Sequence, residues 1–259
     1  MTNGSFDGRT AVVTGAASGI GAAIADRLIA EGANVAGLDI DESGLRSAAE
    51  RLGERFRAVP ADVTRESEVE SAIETTVRLF GSLELAFNVA GGSRIGAVTE
   101  LAEADWDFTV DLVQKSVFLC TKHEARRMRA GGGAIVNVSS LDARIPMPGG
   151  SPYSTGKAGV EMFTKNAALE LAPYGIRVNC VLPGLVDTPL TAPIVAYEPA
   201  LRMFLDRIPL KTPARPDQIA GPCLFLAGAD ASYITGASLV IDGGWQLTSF
   251  PNLATLSGS

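Results

Sequence analysis

A run of five residues, Thr10-Ala11-Val12-Val13-Thr14, leads directly into Gly15-Ala16-Ala17-Ser18-Gly19-Ile20-Gly21. The stretch that follows, residues 19–31, has a helical pattern with Ala22, Ala23, Leu28 and Ile29 facing inward, and Gly32 stands where a helix C-cap glycine belongs. Glycines between a strand and a helix constrain a chain strongly. They let backbone approach a phosphate, and the helix start offers free N–H groups and the positive end of a dipole. A glycine pattern alone is weak. Here a strand precedes it, a helix follows, and Asp39 stands eighteen residues after Gly21, at the end of the next apolar run, Asn34–Asp39. That context marks a dinucleotide-binding unit.

The same alternation continues along the chain. Helical stretches are expected at Glu42–Leu52 and at residues 64–80, with Thr64 as cap and Gly81 as stop. A long helix is expected over residues 103–129, ending at Gly131-Gly132-Gly133, and others over 153–172 and 216–228. Short apolar runs at Phe56–Pro60, residues 83–88, 134–139 and 177–182, and Ser238–Ile241 read as strands. Strands alternating with helices predict a parallel sheet covered on both faces. Right-handed crossovers make it a doubly wound α/β sheet. No linker or composition shift interrupts the pattern, so residues 1–259 read as a single domain. Residues 184–213 break the rhythm with prolines among apolar residues and are expected to form a substrate lid. Residues 245–259 read as an apolar tail able to pack on a neighbouring subunit.

Composition excludes several classes. The formal net charge of −7 argues against a nucleic-acid partner. No run of about 18 apolar residues suggests a membrane span. The start, MTNGSFDGRT, has no apolar leader, so a cytoplasmic protein is expected. Cys120, Cys180 and Cys223 are spaced for neither a disulfide framework nor a metal site, and read as buried thiols. The single histidine, His123, lies in a cationic stretch and is expected on the surface of a helix, which leaves little room for histidine catalysis.

Catalytic chemistry is concentrated in Ser140 to Lys157, directly after the apolar run at 134–139. Pro152 suits a helix start. Tyr153 and Lys157, four apart, then share a helical face. A free tyrosine holds its proton to about pH 10, and a nearby ammonium is expected to lower that value. Such a phenol can exchange protons near neutrality. Ser140, at a strand end thirteen residues earlier, can meet the same substrate oxygen.

Taken with the glycine loop, this serine and Tyr-x-x-x-Lys pattern resembles the short-chain dehydrogenase/reductase family, and the resemblance runs from about Gly8 to Gly244. It implies the sheet order 3-2-1-4-5-6-7. It also implies hydride exchange between a secondary alcohol or ketone and a nicotinamide cofactor. Tyr153 would move the proton and Ser140 bind the substrate oxygen. Lys157 would lower the tyrosine pKa and bind the nicotinamide ribose. Cofactor contacts are implied for Gly15, Ser18, Gly19, Ile20, Gly21, Asp62, Val63, Asn88, Ala90 and Gly91. In Pro183-Gly184-Leu185-Val186-Asp187-Thr188, the residues implied to line the nicotinamide are Pro183, Gly184, Val186 and Thr188. Asp62 also reads as a capping acid near Thr64. Asp39 can accept from ribose hydroxyls and repels a 2′-phosphate. No cation stands at Ala16, Ala17 or Ile40, so NAD is expected as cofactor. The family usually has an asparagine seven residues after the tryptophan of the long helix; here that position is Val113. An active enzyme with a rerouted proton relay is expected, carried by a backbone carbonyl in a locally disturbed helix or by Thr109 and Ser116.

Arg94, Leu141, Met147, Leu185, Leu190, Tyr197, Met203 and Phe204 are candidates to line the substrate, most of them apolar, which suits a hydrophobic or cyclic alcohol. No metal is expected. The resemblance and the apolar residues Val110, Leu112, Val117, Phe118 and Leu119 imply a homotetramer. Two alternatives stand beside this reading: an NADPH-dependent 3-ketoacyl reductase, and a nucleotide sensor or scaffold without turnover.

Overall fold

A computed structural model describes residues 5–248. Among these residues one seven-stranded sheet has the order β3-β2-β1-β4-β5-β6-β7, with every neighbouring pair parallel. The strands are β1 (Thr10–Thr14), β2 (Asn34–Asp39), β3 (Phe56–Pro60), β4 (Leu85–Asn88), β5 (Gly133–Val138), β6 (Ile176–Pro183) and β7 (Ser238–Ile241). The helices between them are α1 (Gly19–Ala30), α2 (Glu42–Leu52), α3 (Glu66–Phe80), α4 (Glu103–Val110), α5 (Ser116–Met128), α6 (Ser151–Leu171), α7 (Ala192–Val195), α8 (Glu198–Leu205) and α9 (Pro216–Ala227). The central strands are buried on both faces, which is why β1 reads as a continuous apolar run.

Two apolar layers cover the sheet. Ile24 and Leu28 of α1 and Ile219 and Leu224 of α9 close one face over Val13, Phe87 and Val136. Val69 and Ile73 of α3, Leu119 and Met128 of α5 and Ala167 of α6 close the other over Val12, Ala86 and Ile135. A fully enclosed Leu28 or Phe87 contributes roughly 1.5–3 kcal/mol relative to exposure. The reversal of strand order between β1 and β4 leaves a crevice at the strand C-termini, where such sheets bind ligands. Thr14 ties that edge together: its Oγ1 accepts the Val89 and Ala90 N–H groups at 2.9 and 3.0 Å.

Several elements depart from the sequence reading. The long helix is interrupted by a π turn at Asp111–Lys115, where the Ser116 N–H reaches back to the Asp111 carbonyl. Helix α3 begins at Glu66, with Thr64 held instead by Asp62. His123 is not on the surface. It is only 4 % exposed, packed under α3, with Nε2 3.2 Å from Glu66 and Nδ1 3.7 Å from Glu70. Two glutamates on the facing helix draw it inward, a partner that lies 57 residues away along the chain. All three cysteines are free and buried. No helix of the described residues is long and apolar enough to cross a membrane. Residues 249–259 of the expected tail lie outside the described residues.

Sequence reading missed a buried acid. Glu124 on α5 has no exposed surface, and its Oε2 accepts from Asn88 Nδ2 at 3.1 Å. The Asn88 amide also donates to Asn137 Oδ1 at 3.0 Å, and Asn137 donates to Thr164 Oγ1 at 3.0 Å. This polar ladder ties β4, β5, α5 and α6 together, yet Glu124 Oε1 has no partner. Burial pushes the carboxyl up to about 8, so the folded protein keeps its proton at neutral pH. An unfolded glutamate titrates near pH 4.3. Between about pH 4.3 and 8 the unfolded chain therefore binds fewer protons than the folded one, and stability falls as pH rises. Glu124→Gln should remove that slope. At pH 8 the variant should melt at least about 2–4 °C above wild type, corresponding to about 1 kcal/mol for a domain of this size. At pH 4.5 the gap should close. Thermal unfolding at both pH values checks this, and identical pH slopes for the two proteins would refute it.

Candidate active site

The glycine loop and the ends of β1, β2, β3 and β4 form a cleft of about 530 Å³. Its walls include Gly15, Ser18, Gly19, Ile20 and Gly21, together with Asp39, Asp62, Val63, Ala90, Gly91 and Thr188. Gly15 has φ +69°, in the left-handed region that favours glycine. Gly21 is demanded by packing: a Cβ there would lie 2.1 Å from the Gly15 carbonyl oxygen. Helix α1 therefore starts directly against the loop, its first N–H groups facing the cleft with no capping side chain. This backbone surface, the acid at the end of β2 and the size of the cleft all fit a dinucleotide.

Asp39 is held from two sides. Oδ2 accepts the Ala17 N–H at 3.1 Å and Oδ1 the Asp41 N–H at 3.0 Å, so the carboxylate is fixed on the cleft wall. Asp62 also lines it. Burial works against its charge, but the Thr64 hydroxyl and N–H and the Arg65 guanidinium hold its carboxyl below the usual range. Asp62 thus does cap Thr64, the second role read for it.

Not every expected cofactor residue reaches this wall. Asn88 points into the ladder with Glu124 and Asn137. Val186 is buried in a short parallel bridge to Ala214, with Pro183 and Gly184 at the end of β6 beside it. The Thr188 hydroxyl lies 3.2 Å from that of Thr191, which also donates to the Val186 carbonyl. Leu38, Ile40, Thr64, Val89, Phe108, Asp111, Leu112, Pro189 and Leu190 also line the cleft; none was expected as a cofactor contact, Leu190 being read for the substrate, Thr64 as a helix cap and Leu112 for assembly. Their types carry no chemical signal; only the fold brings them there.

Ser140, Tyr153 and Lys157 converge beside the C-terminal end of β5. Pro152 stands in the first turn of α6, as its fixed φ allows. The Ser140 hydroxyl lies close enough to the Tyr153 phenol to lower its pKa, and it accepts the Asp142 N–H at 3.1 Å. Lys157 Nζ lies 5.6 Å from the Tyr153 ring centre and donates to the Val138 carbonyl at 2.8 Å. Ser139 Oγ donates to the Lys157 carbonyl at 2.7 Å, pinning α6 to β5.

The expected lowering of the tyrosine pKa is not what this geometry produces. Burial pushes Tyr153 up to about 12; the Ser140 hydroxyl pulls it down and the Asp142 charge pushes it further up. Burial brings Lys157 down to about 8. Loss of water dominates at both groups, and the phenol keeps its proton at neutral pH.

Val113 packs against α6 at Gly156, next to Lys157. It is fully buried, and a Cβ on Gly156 of α6 would lie 2.4 Å from its Cγ2. The π turn supplies the local disturbance expected of this helix. Thr109 and Ser116 use their hydroxyls on the backbone, donating to the Asp105 and Leu112 carbonyls at 2.9 and 2.5 Å.

Among the expected substrate contacts, Leu141 and Leu185 are buried and Tyr197 and Met203 exposed. Phe204 meets Trp245 edge-on at 5.3 Å. Arg94 is committed elsewhere, paired with Asp105 at 2.8 Å and stacked 4.2 Å over Phe108.

A family model described as enoyl-(acyl carrier protein) reductase matches residues 15–246. The cis-4-hydroxycyclohexanecarboxylate dehydrogenase of Sinomonas cyclohexanicum is 42% identical over 244 residues, covering 93% of this chain and 97% of that protein. The chain belongs to the short-chain dehydrogenase/reductase family. A 3-oxoacyl-acyl-carrier-protein reductase of Thermotoga maritima is 37% identical over 243 residues, 92% of this chain and 98% of that one. The solved structure of a short-chain type dehydrogenase/reductase from Mycobacterium ulcerans superposes with a TM-score of 0.91 at 32% identity, covering 97% of this chain and 94% of that one. The protein is thus an oxidoreductase of a family that works with nicotinamide cofactors, acting on an alcohol or ketone.

Proposed function

We propose that this enzyme is an NAD-dependent dehydrogenase of a hydrophobic or cyclic secondary alcohol, with Ser140, Tyr153 and Lys157 as its catalytic residues. The observation that carries the cofactor choice is Asp39, fixed on the cleft wall by two backbone N–H groups. A 2′-phosphate would meet this carboxylate with no cation at Ala16, Ala17 or the exposed Ile40 to offset it. Gly15, Ser18, Gly19, Ile20 and Gly21 would hold the pyrophosphate, Asp62 and Val63 the adenine, and Ala90, Gly91 and Thr188 the nicotinamide half. Asn88, Pro183, Gly184 and Val186 support these walls from behind.

The nicotinamide ring, when bound, supplies the hydride acceptor and, in its oxidised form, a positive charge near the phenol. On the protein side, Ser140 donates to the substrate oxygen and Tyr153 exchanges its proton. Lys157 binds ribose and favours the phenolate. The fully buried Val113 leaves the helix without the usual asparagine, and the π turn around it is suited to hold a relay water on a backbone carbonyl.

Residues 184–213, with α7 and α8, act as the substrate lid. Cyclic alcohol specificity rests on the apolar Leu141, Leu185 and Leu190 and on the hydroxycyclohexanecarboxylate relative. Of the residues read for a homotetramer, Val117 and Leu119 are buried in the chain's own core and Leu112 lines the cleft; exposed Phe118 on α5, with Met162 and Leu169 on α6 and Phe225 on α9, offers faces for one. Three free thiols suit the cytoplasm.

NADH should bind at least about tenfold more tightly than NADPH, or about 1.4 kcal/mol. Fluorescence titration of both cofactors tests this. Equal affinity, or tighter NADPH, would favour the ketoacyl reductase reading.

A further inference from the structure

Two side chains behind the cofactor cleft share one hydrogen bond and leave one oxygen each unpaired. Glu124 of α5 has no exposed surface, and Asn88, the last residue of β4, is 2 % exposed. Asn88 Nδ2 donates to Glu124 Oε2 at 3.1 Å, yet Glu124 Oε1 and Asn88 Oδ1 are both buried without a partner. An ionised carboxylate cannot resolve this, because it only accepts. A neutral carboxyl carries one O–H donor, and the acceptor left open on the amide it already meets is Asn88 Oδ1. Acid and amide then close a ring of two hydrogen bonds, N–H to oxygen one way and O–H to oxygen the other. Both buried oxygens are satisfied, as interiors require. Burial pushes the carboxyl up to about 8, in agreement. The groups around it are uncharged. On α5 they are Thr121, whose Oγ1 lies 3.5 Å from Asn88 Nδ2, and Cys120, whose thiol burial holds well above its usual range. Asn137 of β5 and Thr164 of α6 continue the ladder. The adjacent His123 turns instead to Glu66 and Glu70 of α3.

The ring sits directly behind the cofactor cleft. Asn88 is followed by Val89, Ala90 and Gly91, which line it. Thr14 Oγ1 holds the Val89 and Ala90 N–H groups from the side of β1, and Glu124 holds Asn88 from the side of α5. Asn137, which takes an N–H of the same amide, immediately precedes Val138, whose carbonyl accepts Lys157 Nζ. We propose that Glu124 is a positioning residue for the cofactor: its neutral carboxyl pairs with the Asn88 amide and holds the end of β4, and loss of that proton releases the wall Val89-Ala90-Gly91. Ionisation would set two acceptors, Oε1 and Oδ1, against each other and leave a buried charge with too few donors. Turning the Asn88 amide or admitting water relieves this, and either shifts the residues that follow. A cofactor resting on Ala90 and Gly91 favours the neutral acid, so cofactor affinity and this proton are linked.

This inference rests on the cofactor reading above, and the test separates the two. NADH is titrated by fluorescence against wild type, Glu124→Gln and Glu124→Leu at about pH 7 and about pH 9. Glutamine reproduces the neutral acid at any pH, since its amide donates to Asn88 Oδ1 and accepts from Nδ2. Between the two pH values wild-type affinity should fall at least about fivefold more than that of Glu124→Gln. A group with a pKa of about 8 keeps its proton in only about a tenth of molecules at pH 9, and affinity scales with that fraction. Lys157, also brought down to about 8, is common to both proteins and cancels in the comparison. A purely structural role would move the melting temperature and leave the two pH dependences of affinity equal. Glu124→Leu, which cannot close the ring, should bind NADH at least about fivefold more weakly than Glu124→Gln at pH 7. If Glu124→Leu does not fold, infrared difference spectra between the two pH values carry the second arm: wild type should lose the C=O stretch of a neutral carboxyl, and Glu124→Gln should show no such band. Equal falls in affinity for wild type and Glu124→Gln, or no neutral carboxyl in wild type at pH 7, would overturn this inference and leave the cofactor site standing. Failure of wild type to bind either NADH or NADPH would overturn the cofactor reading and this inference with it.

Discussion

Tyr153→Phe should lower kcat by about 10² to 10⁴, the usual share of general acid–base catalysis, and leave NADH binding within about threefold. The phenol is the group that Ser140 and Lys157 both approach, so removing a single oxygen removes the proton path without changing the packing of the ring. His123, the single histidine, is buried between α5 and α3 and has its ring nitrogens on Glu66 and Glu70, not on this cluster. The phenol begins from a high pKa of about 12, so wild-type alcohol oxidation should accelerate with rising pH while the variant loses most of that dependence. Steady-state rates across pH, with cofactor titration alongside, check both parts. Turnover within threefold of wild type would mean that another group carries the proton.

Gly21→Ala should weaken NADH binding by about a hundredfold or more, equivalent to about 2.7 kcal/mol. The new methyl would stand 2.1 Å from the Gly15 oxygen and 3.1 Å from that of Thr14, both backbone atoms that no rotamer change can move. Either α1 or the loop must shift by an appreciable fraction of an ångström or more. The N–H groups of the helix start then no longer converge on one place, and overpacking of this kind also costs about 1–3 kcal/mol of stability. Gly131→Ala is the matching control, since a Cβ there meets nothing within 4 Å. Fluorescence titration separates the two. Equal affinities in both variants would show that contact of α1 with the loop does not shape the cofactor cradle.

The parts of this enzyme legible in its sequence are those where local chemistry and fold demand the same residues. The strand into Gly15 to Gly21, the acid Asp39 and the Ser140, Tyr153 and Lys157 spacing each carry their own signal, and all lie at the crevice or beside β5. What was not legible depends on partners distant in sequence. His123 looked like a surface residue because its own neighbours are cationic; Glu66 and Glu70 on α3 bury it. Glu124 carries no signal of its own; Asn88, 36 residues away, meets it in the interior. The tyrosine pKa was misjudged because a four-residue spacing reports proximity to Lys157 but not the loss of water around both.

The most direct measurement is the wild-type rate itself: reduction of NAD+ followed by absorbance with a panel of cyclic secondary alcohols, repeated with NADP+. The account predicts alcohol-dependent NAD+ reduction, at least about tenfold more efficient in kcat/KM than with NADP+. NADH that binds tightly while no alcohol is oxidised and no ketone reduced would contradict it and leave a nucleotide sensor in its place.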